Sequence, residues 1–413
     1  MMEGYKETKI GILPKDWGVV KQVEVATFFN GRAYKLSEWE TEGIPVIRLQ
    51  NLTGSGKEYY YSNLQLPEHQ YCCRGDLLYM WSATFGPVWW FGEKAIFHYH
   101  IWKIEHNQEK LDRAFHYYLL DDVTRRMKNE SHGSTMMHVT KGGMEKLLIQ
   151  LPPLPEQQKI ADILSTVDAK IEVIDQQITE TQDLKKGLMQ RLLIKGIGHT
   201  EFKDSALGEI PVDWEVVSTD IIGEITSSKR VHKADYTNKG IPFFRGKEIT
   251  QLAKGKKLNS TVYIKESKFQ EFREKYGAPE AGDVLITAVG TIGSIYLVKE
   301  NDEFYFKDGN LMWIRKITNK LDKSFLMHYF RSNIFQNSID IVSSGSSQKA
   351  LTIVKFKRLF VPIPNIVEQQ KIAEILTSIY EKLEVLSEKK ATYQELKKGL
   401  MQQLLTGKVR VTV

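Results

Sequence analysis

The segment EQQKIADIL begins at Glu156 and returns at Glu368 as EQQKIAEIL, with Asp162 and Glu374 the differing pair. A near copy 212 residues away means that one plan is used twice, which constrains the fold more than any local propensity can. From Glu156 to Leu193 and from Glu368 to Leu405, 21 of 38 aligned positions are identical, and the copies end in LKKGLMQRLL and LKKGLMQQLL. Upstream, LPPLP matches VPIPN and the polar run SHGST matches SSGSS. IGILPKDWGVV from Ile10 and GIPVIR from Gly43 return 197 residues later as LGEIPVDWEVV and GIPFFR. The chain reads as module, helix, module, helix.

The repeated segments carry a heptad seam. Ile160, Leu164, Val167, Ile171, Ile174 and Ile178 recur at alternating steps of three and four, followed by Leu184, Leu188 and Leu192. In the second copy the register is Ile372, Leu376, Ile379, Leu383, Leu386, Tyr393, Leu396, Leu400 and Leu404. Prolines before each segment stop the preceding chain and permit a helical start. Each helix is expected to run about 57 Å at about 1.5 Å per residue. An apolar seam of that length is unstable alone, so the two seams are expected to pair, and the short joint after the first favours an antiparallel pair. Gly187 and Gly399, at matching places within the seams, suggest close backbone approach.

With 413 residues, 42% of them hydrophobic, each half can hold a real core beside its helix. The alternation in IPVIRL, DLLYMW, IFHYHIWKI, IPFFRG, DVLITAV and SIYLV predicts short strands, whereas LDRAFHYYLLDDVTRRM and LDKSFLMHYFRSNIF read as helices. Each module is therefore expected to be α+β, a twisted and partly antiparallel sheet with a few short helices. The start MMEGYKETKI carries no apolar leader and no run approaches a membrane span, so cytoplasmic residence and no membrane contact are the expectation. Cys72 and Cys73 are adjacent and fit neither a zinc site nor a disulfide framework. The net charge of +6 permits a polyanionic partner without requiring one.

Catalytic signatures are incomplete. GSGK at Gly54 lacks the glycine spacing and the following Ser or Thr of a nucleotide loop, and GTIGS from Gly290 is too short for a dinucleotide fingerprint. Asp76 and Asp283 follow glycines and read as strand-entry turns. His98, His100, His106 and His116 cluster without metal-site spacing. No metal ligand and no catalytic residue is assigned.

The repeated LPPLPEQQKIADIL and VPIPNIVEQQKIAEIL, the two LKKGLMQ endings, and the openings LPKDW and IPVDW resemble the specificity subunit of Type I restriction-modification enzymes over practically the whole chain. The resemblance implies two target recognition domains, residues 1–155 and 205–366. It also implies two spacer helices, 156–193 and 367–405, forming an antiparallel coiled coil with internal pseudo-twofold symmetry, a linker at 194–204 and a tail at 406–413. It implies recognition of double-stranded DNA with a split target and docking of two methyltransferase subunits. Restriction and translocase subunits join the full complex. S-adenosylmethionine, ATP and Mg2+ are then used by those partners, and none by this chain. An autonomous DNA-binding protein, or a scaffold with a paired-helix strut and no DNA role, remains the alternative.

Base readout needs directional donors and acceptors, and backbone contact needs cations or small polar groups. In module one those are Arg48, Gln50 and Asn51 after the GIPVIR strand, and Ser131, His132, Ser134 and Thr135 in the polar run. In module two they are Arg245 and Lys247, with Ser346, Ser347, Gln348 and Lys349. Arginine at a strand end is also commonly a structural ion-pair partner, and polar runs also serve as surface turns. Seam positions double as candidates for partner docking.

Overall fold

The computed structural model describes residues 3–82, 84–130, 139–258, 261–344 and 349–412. The chain forms two compact units, one of Met1–Asp175 with Glu388–Val413, the other of Gln176–Ser387. Whereas the sequence division sets the spacer helices apart from the modules, each long helix is divided between the two units. The helices are Leu154–Lys195 and Ile366–Leu404, about 63 and 58 Å long.

The first unit contains two four-stranded sheets where the sequence suggested one. One is antiparallel throughout, in the order Ala26–Asn30, Ile101–His106, Leu77–Met80, Gly86–Trp89. The other runs Tyr60–Ser62, Ile44–Ile47, Ala95–Phe97, Tyr71–Cys72, with the central two strands parallel. IFHYHIWKI, read as a single strand, breaks at His98–His100, and its two parts enter different sheets. The second unit repeats the first sheet with Glu224–Thr226, Leu311–Arg315, Val284–Thr287, Ile295–Leu297; its other sheet runs Tyr236–Thr237, Val262–Ile264, Ile241–Phe244, Tyr305–Phe306, keeping the parallel pair but at an edge, because its extra short strand joins the opposite side. A two-stranded ladder closes each unit, Gly18–Lys21 with Leu148–Leu151 and Glu215–Ser218 with Phe360–Ile363. LDKSFLMHYFRSNIF is two helices, because Ser332 adopts extended dihedrals and its hydroxyl caps the second one.

The repeated EQQ is a buried fastening. The Gln157 carbonyl oxygen accepts from the Asp112 N–H (2.8 Å), and its amide donates to the Lys110 and Pro152 carbonyls (2.9 and 2.8 Å). Gln369 does the same to Asp322, Lys320 and Pro364 (2.8, 2.9 and 2.8 Å). Asp112 and Asp322 cap the helices that follow them, so one glutamine ties the start of a long helix to the start of a module helix. The preceding glutamates, Glu156 and Glu368, accept from the indole N–H of Trp17 (2.9 Å) and Trp214 (3.0 Å) in the two DW openings.

Within each unit the long helices run antiparallel. In the first, Lys397 pairs with Asp168 (2.7 Å) and Lys390 with Asp175, so one chain number rises as the other falls. Ile160, Ala161 and Leu164 share a core there with Met401, Leu404 and Leu405. In the second, Met189, Leu192 and Leu193 meet Ile372, Ala373 and Leu376, and Lys185 lies over Tyr380 at 4.6 Å. The seam reading needs correction at equivalent places. Leu184 and Leu396 are 52% and 47% exposed, because the heptad passes through Thr181, Lys185 and Leu188 in one helix and through Tyr393, Lys397 and Leu400 in the other. A lysine stands where the period asks for a core residue, its ammonium reaching a carboxylate or a ring on the facing helix. Ile171, Ile178, Leu188, Leu383, Tyr393 and Leu400 are half-buried, and the other seam candidates are buried. Close approach at Gly187 and Gly399 is not found: a Cβ at either would meet nothing within 4 Å.

Candidate nucleic-acid interface

Arg48 and Arg245 occupy equivalent places, each leaving a central strand in extended conformation and forming the N-cap of a short helix, Leu49–Thr53 or Gly246–Ala253. Three residues on, a side chain turns back to accept the arginine N–H: Asn51 Oδ1 in the first unit and Glu248 Oε2 in the second, both at 2.9 Å. The exchange of amide for carboxylate decides what the guanidinium does. Glu248 is 1% exposed and also accepts from Arg245 Nε (3.1 Å) and Nη2 (2.7 Å), a forked ion pair. Burial pushes the Glu248 carboxyl up, yet the Arg245 hydrogen bonds outweigh it and the net shift is downward. The bond to Glu248 in turn raises the Arg245 guanidinium above its usual value. Arg245 is thereby the ion-pair partner that the sequence left open.

Among the described residues Arg48 has no such tether. Its guanidinium lies over the Tyr60 ring at 4.1 Å and 5.9 Å from Trp39, and its buried Nε has no hydrogen-bond partner. Asn51 is engaged by the fold, donating to the Glu58 carbonyl (2.9 Å) besides capping Arg48. Gln50 is half-buried beside Arg48, and Lys247 and Lys349 are exposed. Ser131, His132, Ser134, Thr135, Ser346, Ser347 and Gln348 lie outside the described residues. Lys254, Lys256 and Lys257 form an exposed basic turn after the Arg245 helix.

His98, near Trp39, is depressed to about 4 by burial first and then by the positive charges of His100 and Arg48, so it is neutral at neutral pH. Asp76 and Asp283 serve as turn residues, accepting from the N–H groups of Cys73 (2.8 Å) and Glu280 (3.0 Å). Among the described residues no group of three or more His, Cys, Asp or Glu side chains is placed to hold a metal ion, and no helix is long and apolar enough to cross a membrane. Sequence reasoning missed the rings around Arg48, and it left the ion-pair role of Arg245 open without naming Glu248. Only the tether left a readable signal, the spacing Arg-x-x-Glu against Arg-x-x-Asn.

Two copies of one fold that keep their fastenings, yet surround an equivalent arginine differently, define a duplicated recognition protein. The profile of the Type I restriction modification DNA specificity domain matches residues 14–182 and again 211–396, and the chain belongs to that family. It is 29% identical over 423 residues to the Type I restriction enzyme MjaVIII specificity subunit of Methanocaldococcus jannaschii, covering 99% of this chain and 96% of that one. With the Type I restriction enzyme EcoBI specificity subunit of Escherichia coli it shares 26% identity, over 88% and 79% of the two chains. The fold is similar to the crystal structure of the Type I restriction-modification system S subunit from M. genitalium, at a TM-score of 0.57 and 14% identity over 94% and 96% of the chains.

Proposed function

We propose that this chain is the non-catalytic specificity subunit of a Type I restriction-modification enzyme, reading a split duplex sequence with one unit for each part. The observation that carries this reading is the duplication itself. The frame is repeated down to single hydrogen bonds, as at Gln157 and Gln369, while the walls beside Arg48 and Arg245 differ. Equal frames with unlike walls suit two different half-sites.

Methyl transfer and ATP-dependent cleavage reside in partner subunits of the cytoplasmic complex, which use S-adenosylmethionine, ATP and Mg2+; this chain holds no cofactor. Two methyltransferase subunits dock on it because the docking features occur twice. Leu396 and Gly399 in the first unit correspond to Leu184 and Gly187 in the second, each an exposed leucine beside a glycine with open space above it. The test is a graft. Replacing residues 18–151 by the matching segment of the MjaVIII subunit, then mapping methylated sites with the cognate partner, should change one half of the target and leave the other intact. Change in both halves or in neither rejects one unit for each half-site.

A further inference from the structure

The rings near Arg48 form a continuous column. Arg32 lies over Tyr34 at 4.6 Å, Tyr34 stacks on Trp39 at 4.7 Å, Trp39 meets Tyr60 at 4.6 Å, and Arg48 covers Tyr60 at 4.1 Å. Three aromatic rings thus stand between two guanidinium groups. The ends differ. Arg32 is neutralised by an ion pair with Glu38, whereas Arg48 has neither ion pair nor hydrogen bond to its guanidinium among the described residues.

Among the described residues the second unit has no such column at the equivalent places. At the equivalent places Val231 replaces Tyr34 and Tyr236 replaces Trp39, and the strand partner corresponding to Tyr60 is Val262. A stack confined to one unit is not needed for the shared frame. Tyr34 and Trp39 are half-buried against Val46, Tyr71 and Ile96, while Tyr60 is exposed, so the column runs from the edge of a small core to the surface.

A guanidinium lying on a ring keeps its plane and its donor edge while its face is covered. A planar fork held in that way matches the two adjacent acceptors, O6 and N7, that guanine presents in the major groove. A phosphate contact would not require the plane to be fixed, because phosphate accepts from many directions. Arg48 Nε, Tyr34 OH and Arg32 Nη1 in this column are buried without hydrogen-bond partners, as are five side-chain polar atoms elsewhere among the described residues.

We infer that the Arg32–Tyr34–Trp39–Tyr60–Arg48 column is the specificity-bearing element of the first unit, with Arg48 reading one guanine of its half-site and Tyr60 and Trp39 as the positioning residues. This rests on the DNA-reading function proposed above and adds the base, the reader and its support. Arg245, forked onto Glu248, plays no equivalent part in the second unit.

The experiment uses the full chain in complex with its methyltransferase partner and a library of duplexes randomised over both half-sites. The unaltered complex should require guanine at one position of one half-site. Arg48→Lys, which keeps the charge and loses the fork, should cut that preference on the order of tenfold while leaving the other half-site and the salt dependence of binding unchanged. Tyr60→Leu, at an exposed position, should weaken the same preference by a smaller factor. The inference is overturned if Arg48→Lys leaves every base preference intact, if the weakened base is not guanine, or if Tyr60→Leu has no effect at that position. Arg48→Ala lowering binding equally across sequences, with a shallower salt slope, would mark a phosphate contact and also overturn it. Absence of any sequence preference in the unaltered complex would instead reject the specificity function itself.

Discussion

The first unit holds Glu156 and the second holds Glu368, equivalent buried carboxylates each gripped by a tryptophan, and they differ in the cation brought to them. Arg410 reaches Glu156 with Nε (2.7 Å) and Nη2 (2.9 Å) and also pairs with Asp16 (2.7 and 3.0 Å). At Glu368 the place is taken by His199 Nε2 (2.8 Å) and the Ile197 N–H (2.9 Å). In both units the segment after the LKKGLMQ ending closes over the start of the other long helix. The difference teaches that the carboxylate belongs to the frame and must be satisfied, but that the donor set is free to vary. The same rule distinguishes Arg245 from Arg48: a buried carboxylate claims the first guanidinium, and the second lies on a ring with no ion pair among the described residues.

The largest expected difference between the units is their response to acid. Gln22 donates to the Met144 carbonyl (3.0 Å), so its carbonyl oxygen accepts from His116 Nε2 (2.8 Å). That leaves His116 Nδ1 to accept from His106 Nε2 (2.9 Å), and both rings are neutral in this chain of bonds. Burial depresses His106 to about 4 and His116 well below its ordinary value, and His98 also stands at about 4. In the second unit, burial depresses His328 to about 4. Because these values lie below the usual 6.5, the unfolded chain takes up protons first as the pH falls. The stabilisation is therefore complete above about pH 6.5 and is lost progressively towards pH 4. At pH 5.5 the first unit should lose about 3 kcal/mol and the second about 1 kcal/mol relative to pH 7.5. Hydrogen exchange of core amides in each unit, corrected for intrinsic rates, checks this, and equal losses would break the comparison.

A smaller contrast is expected at the two carboxylates. Arg410→Ala leaves Glu156 with the Trp17 donor and without its ionic partner, and should destabilise the first unit by about 2 kcal/mol. His199→Ala removes one donor of three and should cost the second unit about 1 kcal/mol. Unit-resolved exchange in urea measures both, and a larger effect from His199→Ala would reverse the ranking. Smallest is the gain from alanine at Gly187 or Gly399. With open space above each, the change should stabilise the helix by up to about 1 kcal/mol in the free chain. If those glycines admit a docked methyltransferase, the same variants should weaken assembly, measurable by titration with the partner.

The frame was legible in the sequence because fastening residues repeat as words. EQQ, LD and DW each mark one end of a buried hydrogen bond, and duplication exposes them without knowledge of the contact. The seam was legible where apolar residues or Tyr393 keep the heptad and illegible at Leu184 and Leu396, where Thr181, Lys185 and Lys397 hold the phase instead. The break in IFHYHIWKI was hidden because His98, Tyr99 and His100 carry no turn-forming glycine or proline. At the candidate site Arg48 and Arg245 were found by position, but their unequal roles were not. Tyr60 comes to Arg48 through the pairing of Ile44–Ile47 with Tyr60–Ser62, and Trp39 through its contact with the Tyr60 ring, which leaves no local period to read.

The most direct test of the central claim is the set of sequences that the unaltered chain and its methyltransferase partner modify in genomic DNA, determined by sequencing the modified bases. Two units with one frame and unlike walls predict a target in two unlike parts separated by a fixed stretch of unread bases. A single uninterrupted target, or two identical half-sites, would contradict it.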